Sequence, residues 1–251
     1  SLFEEQIQLG RLRLDEQLHR YDNVSAEGID QFPRLQHAGP REHLMWVRRA
    51  KETVRVPLIA SLNAVNRETW VEYAQQLQDT GADALELNFY ATPSDPRSSA
   101  AQVERGQLVV VRAVRKKVKV PLSVKLSPFY TNPLHFLSRL DQEGVDGFVL
   151  FNRLFQPDID PEAEANRYVH ALSGEGEHFG SLRTIGLACG SLKGDLCASG
   201  GILSAADACK LLLAGASCVQ VVSALYRNKV SYLGVLVREL GAWMDRRGYR
   251  C

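Results

Sequence analysis

The sequence predicts an α/β fold, a (β/α)8 TIM barrel that lacks its first one or two strands. Short apolar runs alternate with amphipathic segments of helix length, and this order is typical of βαβ units in a parallel sheet. Val-Arg-Val-Pro-Leu at 54–58 returns as Val-Lys-Val-Pro-Leu at 118–122. Gly-Ala-Asp at 81–83 returns as Gly-Val-Asp at 144–146, and loosely as Gly-Ala-Ser at 215–217. This repetition favours a barrel over a doubly wound sheet, and no Gly-x-Gly-x-x-Gly follows a predicted strand.

The predicted elements follow one another closely after residue 40. Strands are predicted at residues 56–62, 84–87, 122–126, 147–151, 195–198 and 218–222. Helices are predicted at residues 1–20, 42–54, 66–81, 104–118, 132–144, 182–192, 204–215 and 230–247, with a loop at 21–40. We therefore expect one domain over residues 1–251, with a leading helix and loop at 1–40 and repeated βα units at 41–251. A closed barrel has eight strands, so the missing pair is expected before Ser1.

Local signals mark where three of these helices begin. Asn66 and Asn132 are expected to cap their helices, and Pro133 suits the first helical position. Ser204 followed by Asp207 is a variant of the capping box.

Composition narrows the class of protein. The net charge is +1, so a nucleic-acid partner is not expected, and the apolar runs are too short to span a membrane. Five cysteines without paired spacing fit neither a disulfide framework nor a zinc site. Buried, reduced thiols in a cytoplasmic protein without a structural metal are the expectation.

Polar side chains and glycines stand where the predicted strands end. In a (β/α) barrel the active site lies at the carboxyl ends of the strands, so these residues are expected to share one rim. Together they predict a polar pocket for a flat, carbonyl-rich ligand. The rim residues are Asn63, Asn88, Lys125, Asn152, Ser199-Gly200-Gly201 and Val222-Ser223.

Lys125 is the most unusual of these residues because it lies inside an apolar run bounded by Pro121 and Pro128. Burying an ammonium without a partner is costly. Lys125 therefore either meets an anion or polar ligand at the strand end, or extends its aliphatic stem so that the ammonium reaches water.

A phosphate site is predicted beside it. Gly200 and Gly201 allow close approach of backbone N–H groups, and the helix that begins at Ser204 favours an anion at its N-terminus. A phosphate at one end and a lysine with asparagines at the other predict a phosphorylated cofactor, and FMN fits best. The alternative chemistry is a Schiff base formed by Lys125.

Five motifs resemble the dihydroorotate dehydrogenase family: Asp83 to Asn88, Val-Lys-Leu-Ser-Pro at 124–128, Phe-Asn-Arg at 151–153, Ala198 to Ile202 and Gln220 to Leu225. Ser1 to Gln6 and Phe151 to Asp160 are similar to its bacterial dihydroorotate dehydrogenase-like branch. The resemblance runs over essentially the whole chain. In the family a preceding segment supplies the first strand and one flavin-contacting loop, and we expect both to be missing from this sequence.

The resemblance implies an FMN-dependent oxidoreductase that acts on a CH–CH bond in pyrimidine biosynthesis. It implies that Lys125 contacts the flavin, with Asn88 and Asn152 over flavin and substrate. Asn63 resembles a further flavin contact. The backbone of Gly200, Gly201, Val222 and Ser223 resembles the phosphate cradle. Soluble relatives imply a homodimer.

The sequence departs from the family at the catalytic base. The family has a cysteine or serine three residues after the first asparagine, and this chain has Ala91. The family's second asparagine in that loop is also missing, and Arg153 replaces the usual serine or threonine after Asn152.

Three hypotheses follow from these residues. The first is an FMN oxidoreductase of dihydroorotate or a related substrate, with Tyr90, Thr92 or Ser94 as replacement bases. The second is a flavin-binding protein that has lost this activity, and the third is a lyase that uses Lys125 as a Schiff base.

Overall fold

A computed structural model describes residues 2–3, 40–90, 93, 95–154, 158–167 and 172–250. The chain divides into two compact units, one of residues 1–88 with 109–122 and one of residues 89–108 with 123–251. The single domain expected over 1–251 stays a prediction.

Helices and parallel strands alternate along the described chain, which confirms the α/β class and the repeated βα units. The strands are β1 Leu2–Phe3, β2 Ile59–Asn63, β3 Ala84–Asn88, β4 Leu122–Leu126, β5 Gly147–Leu150, β6 Asp158–Asp160, β7 Ala165–Arg167, β8 Asp195–Ser199 and β9 Cys218–Gln220. The helices are α1 Pro40–Thr53, α2 Arg67–Gln78, α3 Ala100–Arg115, α4 Pro133–Gln142, α5 Phe179–Ala188, α6 Ala205–Leu213, α7 Ser223–Asn228 and α8 Tyr232–Arg247.

Strand pairing is parallel within each unit, apart from one hairpin. In the first unit β1 pairs with β2, and β2 pairs with β3. In the second unit β5 lies between β4 and β8, and β8 pairs with β9. The hairpin of β6 and β7 is antiparallel. In parallel strands all carboxyl ends point the same way, so the residues that end the strands of one unit lie along one edge.

The repeated Gly-x-Asp and Gly-Ala-Ser segments are the turns that connect a helix to the next strand. Gly81, Gly144 and Gly215 have φ of 87°, 78° and 110°, where only glycine is unstrained. The N–H of Asp83 then donates to Leu58 O over 2.9 Å and begins the pairing of β3 with β2. The internal repeat therefore marks equivalent structural positions.

The cores of both units consist of strand residues and the helix faces that cover them. Leu77 of α2 and Leu85 of β3 are fully buried in the first unit. Phe136 of α4 and Phe148 of β5 are fully buried in the second. Each such side chain contributes about 1.5–3 kcal/mol on burial.

Several predicted boundaries and elements require correction. The helix predicted over 1–20 is wrong at Leu2 and Phe3, which pair with β2, while residues 4–39 lie outside the described part. The helix predicted at 182–192 spans Phe179–Ala188 instead. The β6–β7 hairpin and the six-residue helix α7 were not predicted, because segments this short carry no measurable periodicity.

Two of the predicted helix caps are confirmed with their side chains. Asn132 accepts a hydrogen bond from the backbone N–H of His135, and Ser204 forms the capping box with Asp207. Asn66 occupies the expected N-cap position of α2, but its side chain makes no capping hydrogen bond.

Candidate functional site

Asn63 and Asn88 are the last residues of β2 and β3, at the carboxyl edge of the first unit. Each is only 6% exposed, and the Asn63 side-chain amide donates to the backbone carbonyl of Asn88 over 2.8 Å. Asn63 therefore fixes the strand end that presents Asn88.

A buried carboxylate lies on the same strand and was not predicted. Glu86 is 6% exposed and accepts a hydrogen bond of 2.9 Å from the Ser61 hydroxyl. Side chains alternate along a strand, so Glu86 shares its face of β3 with Asn88. A glutamate between Leu85 and Leu87 in an apolar strand was the sequence signal for it.

Lys125 lies on β4 in the second unit. Its neighbours Val124 and Leu126 are fully buried, whereas Lys125 is half-buried on the other face of the strand. Its Nζ donates to Oε1 of Gln220 over 2.8 Å. The ammonium of Lys125 thus has a polar partner within the protein, the side-chain oxygen of Gln220. Gln220 belongs to a motif of the sequence, yet it was not among the predicted site residues.

Gly200 and Gly201 follow β8 with φ of 91° and 66°. A Cβ at Gly201 would lie 2.6 Å from the backbone nitrogen of His178, so no larger residue fits there. His178 Nδ1 also donates to Gly201 O over 3.2 Å and holds this turn in place. At Gly200, in contrast, a Cβ would meet no atom of the described residues within 4 Å. Among the described residues, Gly200 therefore faces open space, in contrast to Gly201.

The N-terminus of α6, which follows these glycines, is already occupied by its own capping box. Asp207 accepts hydrogen bonds from the N–H groups of Leu203 and Ser204 at 3.3 and 3.1 Å, and from the Ser204 hydroxyl at 2.8 Å. The Ser204 hydroxyl in turn accepts from the Asp207 N–H. The capping box thus uses the N–H groups of Leu203, Ser204 and Asp207 and places a carboxylate at the end of the helix that an anion would approach.

Val222 and Ser223 follow β9 and begin α7. Val222 is 57% exposed. The Ser223 hydroxyl bonds to the Ser173 hydroxyl at 2.7 Å and accepts from the Ser173 N–H at 3.0 Å. Arg227 donates to Ser173 O over 2.9 Å. The Ser223 side chain thus anchors the segment before α5, which leaves its backbone as the candidate ligand contact.

Asn152 lies two residues after β5 and is 8% exposed, and its N–H donates to Leu126 O over 2.7 Å. Arg153, the residue that departs from the family, forms an ion pair with Glu177 at 3.0 Å. The Arg153 hydrogen bond lowers the pKa of Glu177 below its usual value of 4.5. Arg153 therefore ties the strand end to the segment that packs against Gly201.

Concave surfaces of the described part lie beside α3 and along α2. One of about 200 Å³ is bordered by α3 and by the segment after β4, where the Tyr130 hydroxyl donates to Gln107 Oε1 over 2.6 Å. Burial raises the pKa of Tyr130 well above its usual value, so it stays a donor. The other, of about 550 Å³, runs along α2 from Arg67 to Asp79. The cavity beside Tyr130 is below the 300–1,000 Å³ typical of cofactor pockets.

Ala91, Thr92 and Ser94 lie outside the described residues. Tyr90 is described and is partly buried. Within the described ranges, no helix combines the length and apolar character needed to cross a bilayer. The same ranges hold no group of three or more histidine, cysteine or acidic side chains suited to a metal ion.

Comparison with known proteins decides the family. The family model described as dihydroorotate dehydrogenase matches residues 35–244. The chain belongs to the dihydroorotate dehydrogenase family. A protein of Aeropyrum pernix assigned as dihydroorotate dehydrogenase A (fumarate) is 31% identical over 235 residues, which cover 90% of this chain and 74% of the relative.

Other family members give the same picture. The catalytic subunit of dihydroorotate dehydrogenase B (NAD(+)) from Shouchella clausii is 30% identical over 201 residues, or 76% of this chain and 64% of that protein. A crystal structure of DHODH from Eimeria tenella in complex with ferulenol matches with a TM-score of 0.61 at 19% identity, over 84% of this chain and 66% of the other. This likeness confirms the predicted fold class, a (β/α)8 barrel of which this chain lacks part.

Proposed function

We propose that this family member is an FMN-dependent oxidoreductase that acts on a CH–CH bond of dihydroorotate or a related small molecule. The observation that carries the proposal is the half-buried Lys125, held by Gln220 at 2.8 Å near the carboxyl end of β4. A fixed ammonium at this edge suits a ligand on which negative charge develops.

The residues present fit FMN. The Gly200 backbone borders open space, while Gly201 is held against the backbone at His178, so this turn presents main chain to a phosphate. The backbone at Val222 and Ser223 follows the neighbouring strand and completes the proposed phosphate cradle. When bound, FMN supplies the two-electron chemistry that side chains lack.

The proposed roles of the polar residues follow from their positions. Lys125 carries the positive charge that stabilises the electron-rich edge of the flavin, and Gln220 keeps its Nζ in place. In the second unit, the buried amide of Asn152 can orient a flat ligand rich in carbonyl groups. The resemblance implies the same role for Asn88, a buried amide at the end of β3 in the first unit. Asn63 positions Asn88 through the 2.8 Å hydrogen bond to its carbonyl.

Ala91 determines what this site does to dihydroorotate. General-base catalysis typically contributes 10²–10⁴-fold, and an alanine accepts no proton. We therefore infer that dihydroorotate oxidation is slow unless Tyr90, Thr92 or Ser94 replaces the base. This observation favours a second candidate, a flavin-binding protein without activity on dihydroorotate.

The visible absorbance of the purified full-length protein tests FMN binding. The expected result is a flavin band that stays with the protein through gel filtration, and a colourless protein that takes up no added FMN would contradict the proposal. Lys125→Met should weaken retention of the flavin. If borohydride instead traps a carbonyl substrate covalently on Lys125, the Schiff-base hypothesis replaces this one.

Ala91→Cys tests the missing base. We expect dihydroorotate to bleach the bound flavin at least about 10²-fold faster in this variant than in the natural chain. Ala91→Val is the control, since it changes the side chain without adding a proton acceptor. Equal rates in the natural chain and in Ala91→Cys would show that another residue already serves as the base.

The remaining expectations are proposals of the same kind. A small-molecule substrate follows from the family. The homodimer comes only from the resemblance to soluble relatives, and the cytoplasmic location only from the pattern of cysteines.

A further inference from the structure

Two reduced thiols lie in neighbouring strands of the second unit. Cys197 of β8 and Cys218 of β9 are direct partners in the parallel register of these strands. Adjacent strands lie about 4.8 Å apart, and disulfide-bonded cysteines have Cα atoms about 4.4–6.8 Å apart. The strand spacing alone thus brings the two cysteines within reach of each other.

The thiols share a face of the sheet with the candidate flavin lysine. Lys125 is in register with Val149, Val149 with Cys197, and Cys197 with Cys218. Side chains in one such row point to the same face, and so does Gln220, two residues after Cys218. The two cysteines therefore form one row with Lys125, directly below its partner Gln220.

The two cysteines differ in a way that suits sequential oxidation. Cys218 is exposed, whereas Cys197 is buried at 8% exposure. A hydrogen bond from Cys197 lowers the pKa of the Cys218 thiol to about 7, against the opposing effects of burial and of Asp195. About half of an accessible thiol with this pKa is thiolate at neutral pH, and the thiolate is the reactive form.

We propose that Cys197 and Cys218 are a peroxide-reactive pair that closes a reversible disulfide beside the Lys125–Gln220 contact. The Cys218 thiolate attacks one oxygen of hydrogen peroxide, the O–O bond breaks, and the departing hydroxide takes up a proton and leaves as water. The sulfenic acid on Cys218 is then attacked by the Cys197 sulfur, which forms the S–S bond and releases a second water. Two thiols are oxidised and one peroxide is reduced, and the pair opens again with an added dithiol.

This inference goes beyond the proposed function and does not depend on it, because the thiols and peroxide need no flavin. The position of the disulfide beside Gln220 has a further consequence when FMN is bound. The bond draws β8 and β9 together next to Gln220, so oxidation is expected to alter the flavin spectrum.

To test the proposal, the full-length protein with Cys251→Ser is treated with hydrogen peroxide. Mass spectrometry then shows which cysteines are thiols and which are linked. The expected product has lost two hydrogens and regains them with dithiothreitol. Trypsin leaves Cys197 and Cys209 on one fragment, because there is no lysine or arginine between Lys193 and Lys210. The Cys209→Ser variant therefore shows whether Cys197 or Cys209 is linked to Cys218. The disulfide must still form in this variant.

Single variants test the order of the steps. Cys197→Ser should stop at the sulfenic acid, which dimedone traps on Cys218, and Cys218→Ser should leave Cys197 as a thiol. Iodoacetamide should modify Cys218 several-fold faster than free cysteine at neutral pH. Cys189→Ser is the exposed control and should still form the disulfide. The proposal is overturned if peroxide that oxidises free cysteine leaves both thiols unchanged, or if Cys218 becomes linked to Cys189 or Cys209.

Discussion

Replacing Gln220 with leucine tests whether the contact between β9 and β4 positions Lys125. Leucine is similar in size to glutamine, and it lacks the oxygen that accepts the 2.8 Å hydrogen bond from Nζ. The lysine ammonium then loses this acceptor in a half-buried position. We therefore expect a loss of stability and a lysine that no longer keeps one orientation.

The magnitude follows from the charge on the donor. A hydrogen bond to a charged group contributes about 1.5–3 kcal/mol, and partial exposure of Lys125 favours the lower end of that range. The free energy of unfolding should fall by about 1.5 kcal/mol. Where FMN binding requires Lys125 in its present position, the same energy weakens the affinity about tenfold.

Urea denaturation and FMN titration by flavin fluorescence measure the two effects. Gln78→Leu is the matched control, because its side-chain oxygen accepts a 2.6 Å hydrogen bond from the Lys119 N–H before the start of β4. This control should lose stability but keep its affinity for FMN. Gln220→Glu should restore stability, since a carboxylate accepts the same hydrogen bond, and should lower the reduction potential of the flavin by offsetting the lysine charge. If Gln220→Leu changes neither quantity, the contact does not position the lysine.

Two further changes test the segment that links the glycine turn to Arg153. Gly201→Ala puts a Cβ 2.6 Å from a backbone nitrogen at a φ of 66°, so the free energy of unfolding should fall by more than about 2 kcal/mol in urea. Gly248→Ala is the control: its φ is 75°, but a Cβ there meets nothing described within 4 Å, so it should lose only about 1 kcal/mol. Arg153→Gln removes the hydrogen bond that lowers the pKa of Glu177 from 4.5. A carboxyl with a lower pKa in the folded state adds stability above the unfolded pKa, and this stability is lost as the pH falls through the folded pKa. The natural chain should therefore lose more stability than Arg153→Gln as the pH falls below 4.5. Urea titrations at a series of pH values measure this, and an equal loss of the free energy of unfolding in both proteins would contradict the reasoning.

The sequence predicted six of the eight described strands from residue 59 onward, because local signals mark where most of them begin. Proline precedes β2 and β4, and the repeated glycine turns precede β3, β5 and β9. The capping box at Ser204 was predictable for the same reason. Elements that depend on distant partners were not predictable. Leu2 and Phe3 are a strand only because they pair with β2, about sixty residues further along the chain.

The candidate site shows the same division between local and distant information. Lys125 was found because a charge in an apolar strand is conspicuous within its own segment. Its partner Gln220 is 95 residues away, and nothing in the local pattern of either residue indicates the contact. The row that places Cys197 and Cys218 beside Lys125 likewise needs the register of four strands.

The prediction of a phosphate site had two physical reasons, and the structure weakens one of them and leaves the other in place. One was the N-terminus of α6, but there the carboxylate of Asp207 accepts the N–H groups of Leu203 and Ser204. An incoming phosphate would compete with this carboxylate and be repelled by its charge. The other reason was the glycine pair, and it persists, because Gly200 borders open space while Gly201 is held against the backbone at His178. For the proposed phosphate site we therefore expect the main chain of the glycine turn, rather than the helix that follows it, to supply the contacts.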